Sequence, residues 1–369
     1  MTQKLGALPA QTLQQLLESG CIKHAQPEHI SPASLDLTLS NELHEITGLI
    51  LPQAGEKIRE VLTLMGATPH DLSQPLRPGK LYLARLNETL DLPQQVYGYC
   101  NPKSSTGRLD MHVRVLADGV PRYDSITPKG FAGELWVAIA TKSFSVQLHQ
   151  GTPLTQLRLF TGDTRFSELD LELALRDGLV WHQTEDTQLQ YKDIVTNDQD
   201  GTVVLTALIE EGMCGYECIA TPDQVIDVAN VDGYAGSDFF KPLTITDGAL
   251  RLKRDKFYIL SGAERVKIPP TLASEMVPMD ERSGDFRSHY AGFLDPGWGW
   301  GTDGEGKGRP FTLEVRPFED LVVRKGQPIA KIRFERLAEA PTKHYDSDGK
   351  SHNYLHQKGP KLGKQFRSE

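Results

Sequence analysis

Three short stretches in the second half of the chain combine residue types able to do chemistry. Arg282-Ser-Gly-Asp-Phe-Arg287 places a hydroxyl, a glycine and two guanidinium groups in one turn-sized segment. Arginine makes bidentate, charge-assisted hydrogen bonds and serine adds a short donor, so the segment suits a phosphate or a polar leaving group; a solvated surface loop would have the same composition. Glu314 stands between Leu313 and Val315 in a strand-like run from Phe311, a carboxylate among apolar neighbours. Pointing inward, such a group is costly unless paired, and burial raises a carboxyl pKa toward the range useful for proton transfer. Pointing outward, it is an ordinary strand residue. Asp295-Pro-Gly-Trp-Gly-Trp300 forms a tight aromatic turn that leads into a glycine-rich stretch ending at Gly308. Trp298 and Trp300 can stack on a flat ring or cap a barrel. The glycine run lacks the Gly-Lys-Ser/Thr of a phosphate loop.

These groups belong to the second of two copies of one pattern. Copy one runs from Lys80-Leu-Tyr through Pro93, Lys103-Ser-Ser-Thr-Gly-Arg108 and Gly130-Phe-Ala-Gly133 to Gly151-Thr-Pro. Copy two runs from Lys256-Phe-Tyr through Pro269, Arg282–Arg287 and Asp295–Trp298 to Gly326-Gln-Pro. Lys80 and Lys256, like Pro93 and Pro269, are 176 residues apart, and Gly151 and Gly326 are 175 apart. Where copy two has Thr312-Leu-Glu-Val315, copy one reads Val137-Ala-Ile-Ala140, with Ala138 or Ile139 in the place of the acid according to a small gap. Only copy two is chemically armed.

The elements that must hold these groups are mostly short strands. Leu35–Leu39, Glu134–Ile139 and Phe144–Leu148 are rich in strand formers and separated by Gly, Pro, Asn or Asp turns, the pattern of a barrel or a sandwich. Leu8-Pro9 opens a short helix with Leu13, Leu16 and Leu17 on one face, ended by Gly20. Ser167-Glu-Leu-Asp170 reads as a capping box ahead of Leu169, Leu171, Leu173 and Leu175, with Gly178 closing the helix. The expected organisation is a first domain over 1–165, a helical and acidic linker over 166–201, a second domain over 202–340 and a polar tail over 341–369.

A chain of 369 residues supports two such domains, each with its own core. The net charge of −9 argues against a nucleic-acid polymer as main partner, since that affinity rests on clustered Lys and Arg. No apolar run approaches a membrane span and no secretory leader is visible, so a cytoplasmic protein is expected. The four cysteines do not form a disulfide scaffold, and Cys214-Gly-Tyr-Glu-Cys218 has no second ligand pair, so no metal site is expected.

Taken together the motifs resemble the dCTP deaminase branch of the dUTPase-like superfamily, in its two-copy bacterial form. The family pattern is an Arg-Ser-x-x-x-Arg loop, an Ala before an Asp-Pro-Gly-Trp turn, a Leu-Glu strand and a Gly-x-x-Ile-Ala strand. Here these are Arg282-Ser283 to Arg287, Ala291 before Asp295–Trp298, Leu313-Glu314, and Gly326 to Ala330. Copy one fits the same pattern through Ser31–Leu37, Lys103–Arg108 and Gly130–Gly133.

The resemblance implies a mainly β fold, tandem dUTPase-like distorted antiparallel barrels with short helices, assembled into homo-oligomers of threefold character with nucleotide sites at subunit interfaces. It implies hydrolytic deamination of dCTP to dUTP and ammonia. Glu314 would then be the general acid/base, Ser283 and Arg287 would fix the water and support charge at the ring, and Arg282 would lie near the phosphates. The backbone at Ala291 would read the base edge, and Asp295 would contact the nucleotide. Tyr354 and Gln357 would belong to a nucleotide-closing tail. That tail departs from the family at Asn353, where Lys is common, which leaves the phosphate contact to Lys350 or missing. The longer stretch Gly299–Gly308 and three extra residues before the second Ser/Arg loop are further departures. Zinc is not expected, because the zinc-deaminase signature is absent, and Mg2+ would accompany the triphosphate. Copy one would be a non-catalytic scaffold that supplies interfaces and Ser104 or Arg108 to composite sites. A dUTP pyrophosphatase or a bifunctional enzyme is an alternative, since Asp295 takes the place of the water-activating Asp of dUTPases; a silent nucleotide-binding protein is another.

Overall fold

The computed structural model describes residues 4–194, 199–210, 212–245, 247–279, 286–288 (as backbone), 292–347 and 359–367. The chain forms two compact units, one of Met1–Asp163, Ala220–Tyr234 and Gln365–Ser368, the other of Thr164–Ile219, Ala235–Lys364 and Glu369. Each half of the sequence builds one unit, but two segments of the second half belong to the first unit.

The main sheets of both units are antiparallel and barrel-like, and their strand orders repeat. In the first unit the order is Met111–Ala117, Ala132–Thr141, Leu81–Asp91, Ser34–Ile46, Pro153–Phe160, Tyr97–Pro102, Ser125–Ile126. In the second, Phe286–Ser288, Arg309–Pro317, Tyr258–Val266 and Met213–Cys218 are neighbours in one sheet, and Thr202–Thr206, Pro328–Arg336, Leu272–Val277 and Phe293–Leu294 in another. The mainly β, duplicated fold implied by the resemblance is the one observed.

The repeat reaches single hydrogen bonds. The backbone N–H of Arg77 donates to the Tyr82 hydroxyl at 3.1 Å and that of Lys253 to the Tyr258 hydroxyl at 2.8 Å. The long central strand of each unit is bulged at the same place, between Arg85 and Thr89 and between Ser261 and Arg265. A buried glutamate sits inside each bulge. Glu88 accepts from Thr38 N–H (2.9 Å) and Thr38 Oγ1 (2.7 Å), and Glu264 from Thr206 N–H (2.8 Å) and Thr206 Oγ1 (2.6 Å). Each carboxylate thus ties its bulged strand to a threonine of another strand, Thr38 in Ser34–Ile46 and Thr206 in Thr202–Thr206.

The connecting helix Glu168–Leu175 has the expected capping box, Asp170 N–H donating to Ser167 Oγ at 3.3 Å and Ser167 N–H to Asp170 Oδ2 at 2.9 Å. Its four leucines do not share a face. Leu171 and Leu175, one turn apart, are buried, whereas Leu169 and Leu173 are exposed. The core of the second unit joins Leu171 and Leu175 to Val203, Leu205, Tyr258, Leu313 and Val315.

Burial, the largest cause, raises the pKa of Glu264 above its ordinary value of 4.5. A group raised in the folded state stabilises fully below its unfolded pKa, and that contribution is lost as pH rises through the folded value. Thr206→Val removes one donor to the ionised form and should therefore cost about 1–2 kcal/mol, more at pH 8 than at pH 5. Urea unfolding at the two pH values checks this; an equal loss at both would count against an ionised Glu264 held by Thr206.

Candidate active site

Glu314 lies in the strand Arg309–Pro317, directly opposite Ile259. Its neighbours Leu313 and Val315 point into the apolar core, so the strand alternation sends Glu314 to the other face, where it is nonetheless only 4% exposed. On that same face Thr312 stands opposite Ser261, and both are buried. The face thus combines a carboxylate and two hydroxyls withdrawn from bulk water. Ser261 and Thr312 were not picked out from sequence, because a lone Ser or Thr in a strand carries no signal until the register sets the two side by side.

In the first unit the counterparts of Glu314 and Thr312 are apolar and packed, and that of Ser261 is Arg85, paired with Glu42 at 3.2 Å. Leu83 pairs with Ala138 and Arg85 with Trp136, so the register settles that Ala138, not Ile139, stands where the second unit has Glu314. Leu83, Trp136 and Ala138 form one cluster with Ile58, Val61 and Met65 from the stretch after the strand Ser34–Ile46. Arg59 lies 5.3 Å over the Trp136 ring and pairs with Glu42 at 2.8 Å and Glu134 at 2.9 Å. The counterpart of that stretch comes after Cys218, and its residues 220–234 belong to the first unit. There Val225–Asp227 runs parallel to Ser145–Gln147, and Ser145 Oγ donates to Pro222 O at 2.7 Å.

Asp295 is buried at the start of its turn, just after the strand Phe293–Leu294, which pairs with Ser274 and Glu275. Trp298 N–H donates back to Asp295 O at 3.2 Å, and Gly297 has a φ of 89°, a left-handed conformation suited to glycine. Both tryptophans pack against side chains of the chain itself. Trp298 packs against Tyr345 with centroids 5.1 Å apart, and Trp300 lies under the Lys267 ammonium at 4.6 Å. Lys267 also donates to Gly304 O at 2.7 Å, pinning the glycine-rich stretch, and burial lowers its pKa.

Arg287 falls in the strand Phe286–Ser288, opposite Arg316. In the first unit that sheet position, opposite Ala140, is His112, so sheet register and loop motif align the two copies differently here. Arg282, Ser283, Ala291, Tyr354 and Gln357, with Lys350 and Asn353, lie outside the described residues. Ser104 opens a one-turn helix, Ser104–Gly107, and Arg108 comes directly after it, buried. Among the described residues no three His, Cys, Asp or Glu side chains gather to hold a metal ion. Cys214 and Cys218 are buried in one strand, and burial pushes the Cys214 thiol up.

Residues 4–163 match the family model of the 2'-deoxycytidine 5'-triphosphate deaminase N-terminal domain, and residues 177–366 that of its C-terminal domain. The chain belongs to the dCTP deaminase family. A crystal structure of 2'-deoxycytidine 5'-triphosphate deaminase from Agrobacterium tumefaciens is similar to it with a TM-score of 0.80 and 31% identity, over 92% of this chain and 99% of that one. No curated protein matches. As a dCTP deaminase the chain is a hydrolase that acts on a carbon–nitrogen bond of a nucleotide, and the buried acid of copy two is its strongest chemical feature. No helix among the described residues is long and apolar enough to cross a membrane.

The plug over the first unit's sheet makes that face a poor host for a charge. Ala138→Glu would set an acid at the position of Glu314, but beneath Ile58, Val61 and Met65. It should destabilise the chain by several kcal/mol and add nothing to turnover per chain. Thermal unfolding and steady-state rates together check this, and a rise in turnover would show that the copy-one face can host substrate.

Proposed function

We propose that dCTP and water react at copy two to give dUTP and ammonia, with Glu314 moving the protons. The observation that carries the reading is the contrast between Glu314, buried on the non-core face beside Ser261 and Thr312, and Ala138, its sheet counterpart under an apolar plug. Glu314 takes a proton from water as the oxygen bonds to C4 of the cytosine ring. As the oxygen adds, the C4–N3 double-bond electrons move to N3. The proton on Glu314 then goes to the exocyclic nitrogen, its bond to C4 breaks and ammonia leaves, and the second water proton, given up by the C4 hydroxyl, ends on N3 as the C4 carbonyl of uracil forms. A carboxyl withdrawn from water is suited to such a shuttle.

Ser283 and Arg287 hold the water and support charge at the ring, Arg282 binds phosphate, and the Ala291 backbone reads the base edge. Asp295 contacts the nucleotide, and Tyr354 and Gln357 act from a closing tail over 341–369. The chemistry uses no zinc; Mg2+ arrives as part of the nucleotide complex. In this reading residues 1–165 are a scaffold copy and 202–340 the catalytic copy, in a cytoplasmic homo-oligomer of threefold or pseudo-threefold symmetry. A pyrophosphatase activity on dUTP is the second reading, favoured by the buried Asp295.

Incubation with dCTP and Mg2+, following ammonia, dUTP, dUMP and pyrophosphate together, separates the readings. Ammonia with dUTP is expected; dUMP with pyrophosphate would add the second activity, and bound dCTP without turnover would leave a silent binding protein. Glu314→Gln should lower kcat by about a hundredfold or more and keep dCTP affinity within a few-fold. A loss of only a few-fold would remove Glu314 from the chemistry.

A further inference from the structure

The turn that carries Asp295 is built twice, and only one version is clasped. In the first unit Leu92 N–H donates to Phe131 O at 2.9 Å and Gly130 has a φ of 76°. In the second, Ile268 N–H donates to Trp298 O at 2.8 Å and Gly297 has a φ of 89°. Leu92 and Ile268 stand at the 176-residue spacing of the repeat. The shared bonds are therefore enough to fold the turn.

The second unit adds contacts from residues 344–347. Tyr345 N–H donates to Pro296 O at 2.8 Å, and the His344 ring packs where a Cβ on Gly297 would stand. Asp346 accepts from Gly301 N–H at 2.8 Å and from the Arg309 guanidinium at 2.6 Å. That guanidinium lies 5.5 Å from the Trp298 ring and 5.9 Å from the Tyr345 ring. The Asp346 side chain is 6% exposed and that of Arg309 16%. In the first unit Gly133 takes the sheet place of Arg309, opposite Leu90 as Arg309 is opposite Val266. The space beside Phe131, Ala132 and Gly133 is there a cavity of about 740 Å³.

We propose that Asp346 is a positioning residue for the nucleotide. Through Arg309 and the Gly301 N–H it ties the stretch that follows the Asp295–Trp298 turn to the strand that carries Glu314, while its neighbour Tyr345 holds the turn at Pro296. A charge pair this far withdrawn from water adds little net stability but holds one geometry, because either partner alone would be left unpaired. Among the described residues this clasp occurs in the copy with the acid and not in the copy without it, although both copies make the turn. This inference rests on the proposed dCTP site.

The test compares Asp346→Asn, Asp346→Glu and Arg309→Lys in the full chain, by steady-state deamination, calorimetric titration with dCTP and thermal unfolding. Asp346→Asn should raise KM and the dCTP Kd about tenfold or more with kcat within a few-fold; Asp346→Glu should recover part of the loss, and Arg309→Lys should behave like Asp346→Asn. Unchanged KM and Kd, or an activity loss that only tracks the folded fraction, would overturn the proposal while the deaminase reading stands. If the unaltered chain binds dCTP without releasing ammonia, that reading fails, and the Kd values alone decide on the clasp. Should Asp346→Asn not fold, the Asp346→Glu and Arg309→Lys titrations decide.

Discussion

The register between the strands Tyr258–Val266 and Arg309–Pro317 is the constraint on which the site depends. Because side chains alternate along a strand, a slip of one residue would drive Glu314 into the core and expel Leu313 and Val315. Burying an unpartnered carboxylate costs several kcal/mol, and so does exposing two core side chains, so the core itself enforces the position of the acid. Tyr258 makes the slip harder still. Its ring is fully buried in that core, opposite Val315, and its hydroxyl is held by Lys253 N–H.

The two copies differ less in their barrels than in a single connection between strands. Glu45 and His44 pair with Thr68 and Pro69, as Glu217 and Tyr216 pair with Lys241 and Pro242, so the intervening stretches are counterparts. The first folds back and lays Ile58, Val61 and Met65 on Trp136 and Ala138. In the second, Ile226 is fully buried and its strand pairs with Ser145–Gln147 of the first unit. The residues on the two faces differ accordingly: Trp136 and Ala138 lie under the apolar side chains of the stretch 58–65, whereas Thr312 and Glu314 are buried polar groups.

Much of this was legible in the sequence. The repeat landmarks marked the strands correctly because turn glycines and prolines recur at fixed places in a barrel, and Glu314 stood out because an acid between Leu313 and Val315 breaks an apolar strand. The exact counterpart of Glu314 was not legible, since Ala138 and Ile139 differ by one residue and only cross-strand pairing separates them. The capping box of Ser167 and Asp170 marked the connecting helix, but which of its leucines pack was settled by the helical turn, which buries Leu171 and Leu175 and leaves Leu169 and Leu173 exposed. The pairing of Ser261 with Thr312 and of Arg309 with Asp346 joins residues distant in the chain, which no local pattern encodes. The Trp298 and Trp300 rings, open as stacking platforms in sequence, are taken up by Tyr345 and Lys267.

The copy without the acid is not dispensable on that account. Its own fold includes Val225–Asp227 as a parallel strand, with His149 and Asp227 2.7 Å apart and Val228 N–H donating to Gln147 O at 3.2 Å. Tyr234 exchanges backbone hydrogen bonds with Gln365 and Arg367, and Gln365 Nε2 donates to Val228 O at 2.9 Å. Ile226 and Phe366, both buried here, have no place in a core that the second half of the chain builds alone. The second copy cut free of the first would expose both side chains and strand these backbone donors, each a cost of order 1–3 kcal/mol. The packing therefore retains the first copy whatever its part in the chemistry.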